Sequence, residues 1–240
     1  MLPDLVSAVV WRNGIGLEIF KRKERCMKIG ILGTGMVGEA LGTKFAQLGH
    51  QVKMGSRTAT NESAAKWAKA VGANASQGTF SDAAAFGEMV FLCLKGTVFL
   101  DIAKTLSAAA LTGKVVVDVS NPLDFSHGMP PSLSICNTNS LGEEVQKAVP
   151  SAKVVKTLNT VNCEVMVDPA KGGHPTMLLC GNDSEAKDKV EGLLKTMGWR
   201  DMIDLGDITK SRGTEMLLPL WLDLMGSFGN PYFGFKMVRG

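Results

Sequence analysis

From Met27 onward, apolar positions alternate between short unbroken runs and repeats of helical period. Residues 27–32 form a run suited to a strand buried on both faces. Val37, Leu41, Phe45 and Leu48 then recur at helical spacing, and Gly49 is placed to stop that helix. Residues 51–54 read as a second strand, and 61–71 as a helix that Asn61 or Ser63 can cap. A short helix is predicted over 80–86, a strand over 89–94, a helix over 97–110 and a strand over 114–119. Helix 140–148 and strand 153–157 follow. A further unit has strand 176–180, helix 184–197 and strand 201–204, and residues 208–225 are helix-like. Strands alternating with helices predict α/β architecture: a doubly wound, mostly parallel sheet with a small C-terminal α/β extension. The pattern divides the chain into an extension over 1–26, a first domain over 27–157 and a smaller second one over 158–240 that completes the cleft.

Composition narrows the class only slightly. A chain of 240 residues with 45% apolar and 20% charged residues has ordinary globular usage and can bury a full core without staples. The net charge of +3 is largely local. Arg12, Lys21, Arg22, Lys23 and Arg25 face only Asp4, Glu18 and Glu24 in the first 26 residues, and the remainder is nearly neutral. No basic stripe points to nucleic acid. Apolar runs fall short of the ~18 residues of a membrane span. Five cysteines without a C-x-x-C pair read as a reduced, cytoplasmic chain.

Candidate chemistry begins at Gly33, Thr34, Gly35, Met36, Val37 and Gly38, a G-x-G-x-x-G that follows a predicted strand and opens a predicted helix. In this context the first glycine permits a tight turn, and the second lets backbone amides approach a pyrophosphate. The third lets the helix pack closely on the sheet, and the helix N-terminus faces the anion. About 20 residues on, an NAD site places a carboxylate on the ribose hydroxyls. Here Gly55 is taken to stand at that acidic position, followed by Ser56, Arg57 and Thr58. Arg57 offers a planar fork to a 2′-phosphate, with hydroxyl donors beside it, so the expected coenzyme is NADP(H). Leu94 ends the strand over 89–94 with Lys95 directly after it, and Asn121 and Pro122 follow the strand over 114–119, where ligands cross such sheets. His50, His127 and His174 make no metal-ligand spacing, and Asp118 and Asp124 have no second acid paired with them. No acid–base pair or nucleophile stands out, and no metal site is expected.

The segments MKIGILGTGMVGEALGTKFAQLGHQVKMGSRT, VVVDVSNPLDF and ICNTNSLGEEVQKAVPSAKVVKTLNTVN resemble the NADPH:coenzyme F420 oxidoreductases. They are similar as well to the cytoplasmic oxidoreductase domain of the six-transmembrane metalloreductases. The resemblance runs from about Met27 to the end. It implies a Rossmann domain that holds NADP through Thr34, Gly35, Met36, Val37, Ser56 and Arg57. It further implies hydride passage to a flavin or deazaflavin (coenzyme F420-like) substrate without a protein acid or base. Leu94, Lys95, Asn121, Pro122 and Asn159 would border the nicotinamide cleft. Some deazaflavin-reducing members carry Pro-Trp after the fourth strand where this chain has Lys95 and Gly96, so flavin and deazaflavin both stay open as acceptors. A rival is an NADP(H)-binding sensor without turnover. The extension holds neither the glycines nor the phosphate grip, and deleting residues 1–26 is expected to leave NADPH affinity and thermal stability nearly unchanged. The aromatic tail (Trp221, Phe228, Tyr232, Phe233 and Phe235) is read as packing on its own core, with a homodimer contact as its alternative use. The partner expected otherwise is a small redox substrate, with neither nucleic acid nor membrane.

Overall fold

The computed structural model describes residues 26–106 and 108–240. The expectation about the extension therefore lies outside the described residues, apart from Cys26.

Strand β1 (Lys28–Leu32) leads through α1 (Met36–Gln47) to β2 (Gln51–Ser56), α2 (Glu62–Val71) and β3 (Ala75–Thr79). Then come α3 (Phe80–Phe86), β4 (Met89–Leu92), α4 (Val98–Ala103), α5 (Ala108–Leu111) and β5 (Val115–Asp118). A small hairpin, β6 (Leu123–Asp124) with β7 (Ser132–Leu133), precedes α6 (Leu141–Ala148) and β8 (Lys153–Thr157). The remainder is α7 (Cys163–Val167), β9 (Met177–Gly181), α8 (Ser184–Thr196), β10 (Met202–Asp204) and α9 (Ser211–Phe228). Eight strands form one sheet in the order β10-β9-β8-β5-β4-β1-β2-β3. Every pairing in it is parallel except β8 with β9. This is the doubly wound α/β fold expected, and the C-terminal strands extend the same sheet.

Local chemistry explains most of the boundaries. Asn61 caps α2 through its side-chain oxygen, which accepts from the Ala64 amide. Thr79 and Asp82 close a reciprocal capping box on α3. Apolar side chains of the sheet fill two layers. Ile29, Ile31, Phe45, Phe91, Val155 and Trp199 belong to the one beneath α1, α2 and α8. Leu32, Ala83, Val90, Phe99, Leu141 and Val154 belong to the other, beneath α3, α4 and α6.

Several elements depart from the expected pattern. The helix expected over 97–110 is split into α4 and α5. The Thr105 amide and hydroxyl and the Leu106 amide all donate to the Ile102 carbonyl, which closes the first segment as a tight turn. Strand β3 carries no apolar alternation; it forms because β2 offers an edge with which to pair. The α7 turn is short and was not anticipated; its Val165 and Met166 are buried beside α1.

The aromatic tail packs on its own core: the Phe233 ring stacks on Trp221 at 5.1 Å and meets Phe228 edge-on. The Phe235 carbonyl accepts from the Thr176 amide, and Lys236 and Arg239 both pair with Asp201. Among the cysteines, Cys26 is exposed, whereas Cys180 is buried and its thiol is pushed up to about 12 by that burial. A thiol reagent at neutral pH is therefore expected to label Cys26 in the native protein and to reach Cys180 only after denaturation, as peptide mass mapping would show.

Candidate dinucleotide cleft

The turn between β1 and α1 uses its three glycines for three different reasons. Gly33 sits at φ +130°, where its missing Cβ would lie 2.2 Å from the Cys93 carbonyl oxygen. At Gly38 a Cβ would come within 2.3 Å of the Gly33 carbonyl oxygen. Both are therefore required by the protein itself. Gly35 is not: its backbone is extended (φ −88°, ψ −178°), and a Cβ there would meet nothing within 4 Å. No side chain caps the first amides of α1 at this point. The result is an open helix N-terminus, exposed at Gly35 and Met36.

The corner after β2 lies beside this turn, because the Gly33 amide donates to the Gly55 carbonyl at 3.1 Å. The strand runs on to Ser56, two residues beyond the expected end. Gly55 faces α3, where a Cβ would lie 2.8 Å from that of Ala83. It therefore does not stand at the ribose position, which corrects the expectation for that residue. Ser56 turns to the opposite face, is buried, and donates from its hydroxyl to the Thr58 carbonyl. Arg57 and Thr58 are exposed, and Arg57 has no hydrogen bond or ion pair recorded among the described residues.

The remaining candidates gather on the same edge. Lys95 is exposed after β4, Leu94 is half-buried, and a Cβ on Gly96 would stand 3.6 Å from the Asn121 carbonyl oxygen. Asn121 and Asn159 exchange side-chain hydrogen bonds across the gap between β5 and β8. Asn121 Nδ2 donates to the Asn159 carbonyl (2.9 Å), and Asn159 Nδ2 donates to Asn121 Oδ1 (3.0 Å). Pro122 is buried behind them. Leu158, just before Asn159, is fully buried in the left-handed region (φ 62°), a strained place for a branched side chain. The residues singled out in the sequence thus converge on the carboxyl ends of β1, β2, β4, β5 and β8.

Beneath them lies a charged cluster that sequence reasoning missed. Lys156 is fully buried, and its Nζ reaches Asp118 Oδ2 (2.9 Å), Glu215 Oε1 (2.8 Å) and the Ser120 carbonyl (2.6 Å). Asp118 Oδ1 accepts from the Ser120 amide and hydroxyl. Glu215 also accepts from the Leu141 and Gly142 amides at the start of α6. Burial works against the Lys156 ammonium, yet the two carboxylates outweigh it and raise its pKa. Burial likewise pushes the Glu215 carboxyl up. Asp118 therefore does share its environment with a second acid, 97 residues away in the chain. A signal was present: Asp118 interrupts one valine run and Lys156 ends another, each at a position that a doubly buried strand would fill with an aliphatic residue. Such clusters contribute little net stability, but losing one member costs about 3–5 kcal/mol, because it strands a buried charge.

Residues 28–122 match a family described as NADP oxidoreductase, coenzyme F420-dependent. The chain is 34% identical over 222 residues to the F420-dependent NADP reductase of Methanocaldococcus jannaschii, across 89% of this chain and 99% of that one. This chain belongs to the F420-dependent NADP oxidoreductase family. A solved structure from Arthrobacter sp. FB24, assigned as an F420-dependent NADP reductase, superposes on the family member described here with a TM-score of 0.84. The two are 45% identical, and the match covers 89% of this chain and all of that one. The metalloreductase STEAP3 of Rattus norvegicus is 29% identical over 201 residues, and the match spans 38% of that longer protein. A reductive aminase of Aspergillus terreus, solved with NADPH, shares the fold at a TM-score of 0.60 and 18% identity. That match covers only 63% of the aminase.

Proposed function

We propose that this family member binds NADP(H) across the cleft edge and passes hydride between the nicotinamide and a flavin or deazaflavin acceptor of the coenzyme F420 kind. The observation that carries the proposal is Gly35, a glycine that neither backbone conformation nor packing within the chain requires. Space kept clear above an uncapped helix N-terminus fits a pyrophosphate. Thr34, Met36 and Val37 flank that contact. Ser56, Arg57 and Thr58 form the corner for the 2′-phosphate, and Arg57, exposed and directly after the strand, holds it. Leu94, Lys95, Asn121, Pro122 and Asn159 border the nicotinamide. When bound, NADPH supplies the hydride. The chain's own residues bind it, orient its ring and keep water from the transfer.

In this scheme residues 27–157 carry the coenzyme, and 158–240 close the cleft with α9 and the tail. No helix among the described residues is long and apolar enough to cross a membrane. The substrate in this scheme is a small redox molecule, and a second copy of the chain is a candidate partner through the exposed Phe228 and Tyr232. Gly35→Ala is expected to weaken NADPH binding by roughly tenfold, about 1.4 kcal/mol, while leaving the thermal transition unchanged. Calorimetric titration beside a melting curve checks both halves. The proposal as a whole is tested by following NADPH absorbance on addition of F420, FMN or riboflavin. Steady oxidation supports it. Tight NADPH binding without turnover on any acceptor would favour a sensor instead.

A further inference from the structure

We infer that Lys156 is a positioning residue for the nicotinamide, acting through the buried cluster that fastens the wall of the cleft to α9. The inference rests on the coenzyme placement proposed above. Two regions far apart in sequence converge on one ammonium: β5 and the segment directly after it, through Asp118 and the Ser120 carbonyl, and α9 through Glu215. Asp118 holds Ser120 a second time through its amide and hydroxyl. The next two residues along that segment are Asn121 and Pro122, the proposed wall of the cleft. Asn159, three residues beyond Lys156, completes the attachment by donating to Asn121 Oδ1 and to the Thr214 carbonyl of α9. Thr214 is next to Glu215, so two layers of polar contact tie the same pair of elements together.

The placement of these bonds matters more than their number. Each contact of Lys156 ends on residues one to three positions from the cleft wall or on the helix that closes it. None is solvent-exposed, so water cannot substitute for a lost partner. An aliphatic residue at 156 would satisfy the sheet's packing as the neighbouring Val154 and Val155 do, and would remove the ammonium link between the wall and α9, leaving that connection to the Asn121–Asn159–Thr214 hydrogen bonds. Hydride transfer is sensitive to sub-ångström placement of the donor ring. A loosened wall is therefore read in the transfer step, whereas grip on the pyrophosphate and 2′-phosphate, held by β1 and β2, is not.

The test compares wild type with Lys156→Met and, because that variant strands two buried carboxylates at a cost to folding, with the near-isosteric Glu215→Gln. Three quantities are read at a temperature well below each variant's melting point. These are the NADPH dissociation constant, the single-turnover transfer rate with its deuterium isotope effect from 4-deuterated NADPH, and the fluorescence anisotropy of bound NADPH. A positioning role predicts a dissociation constant within about threefold of wild type and a transfer rate lowered roughly 10- to 100-fold, with a larger isotope effect. It also predicts lower anisotropy, since a freed nicotinamide ring moves. Glu215→Gln should show the same pattern to a smaller degree. Wild-type transfer rate and anisotropy in a folded variant of either kind would overturn the inference. So would a parallel loss of affinity and rate, which marks general destabilisation. If wild type itself binds NADPH but transfers to no acceptor, the proposed activity fails, and the anisotropy alone still decides whether Lys156 positions the ring.

Discussion

Replacing Arg57 with alanine is expected to weaken NADPH binding by roughly 10- to 150-fold and NADH binding by only a few-fold. Charge-assisted hydrogen bonds are each worth about 1.5–3 kcal/mol, and 1.4 kcal/mol is about a factor of ten in affinity. Arg57 is exposed at the end of β2, so its guanidinium gives up little to reach a ligand. Its phosphate contact is absent with NADH, for which only stacking on the adenine is lost. Dissociation constants for both coenzymes in wild type and Arg57→Ala measure the difference directly. Equal losses for the two would mean that Arg57 orders the corner rather than grips the phosphate, and the preference for NADP would lose its residue.

Gly55→Asp is expected to unfold the corner instead of converting it to NAD use. On sequence alone Gly55 occupies the place of a ribose-binding carboxylate, and installing one there would favour NADH. The structure turns that position toward α3, where a Cβ would stand 2.8 Å from Ala83 Cβ and 2.9 Å from the Thr79 carbonyl oxygen. A carboxylate forced into this contact is buried with a carbonyl and without a cation. Overpacking and an unpaired buried charge together cost about 3–5 kcal/mol. For a chain of this size that corresponds to a fall in Tm of roughly 6–20 °C. A melting curve and NADH titration decide it: a variant as stable as wild type that gains NADH affinity would restore the original placement of residue 55.

The contrast between these two positions shows what kinds of fact are local. The positions of Gly35 and Arg57 are legible because the neighbouring residues set them. A glycine between strand and helix faces the helix N-terminus wherever that turn is built, and an arginine directly after the strand lies at the corner. The facing of Gly55 depended on β2 running to Ser56, and that length is set by pairing with β3, a strand without an apolar pattern. Edge strands of this kind are recruited by the neighbour's free backbone groups, not by their own side chains.

Likewise, the runs at β1, β4, β5 and β8 and the helical repeats of α1, α2 and α8 determined the α/β class and the parallel sheet. They did so because burial of strands on both faces leaves a direct hydrophobic imprint. The glycine turn marked the open helix N-terminus at which the coenzyme is proposed to lie. Only the tertiary structure decided that Asp118, Lys156 and Glu215 meet, and that Asn121 pairs with Asn159. Those contacts join residues 38 and 59 positions apart. Each looked unremarkable in its own segment, because charge is compatible with the interior only when a partner from another element arrives there, and no local period records that arrival.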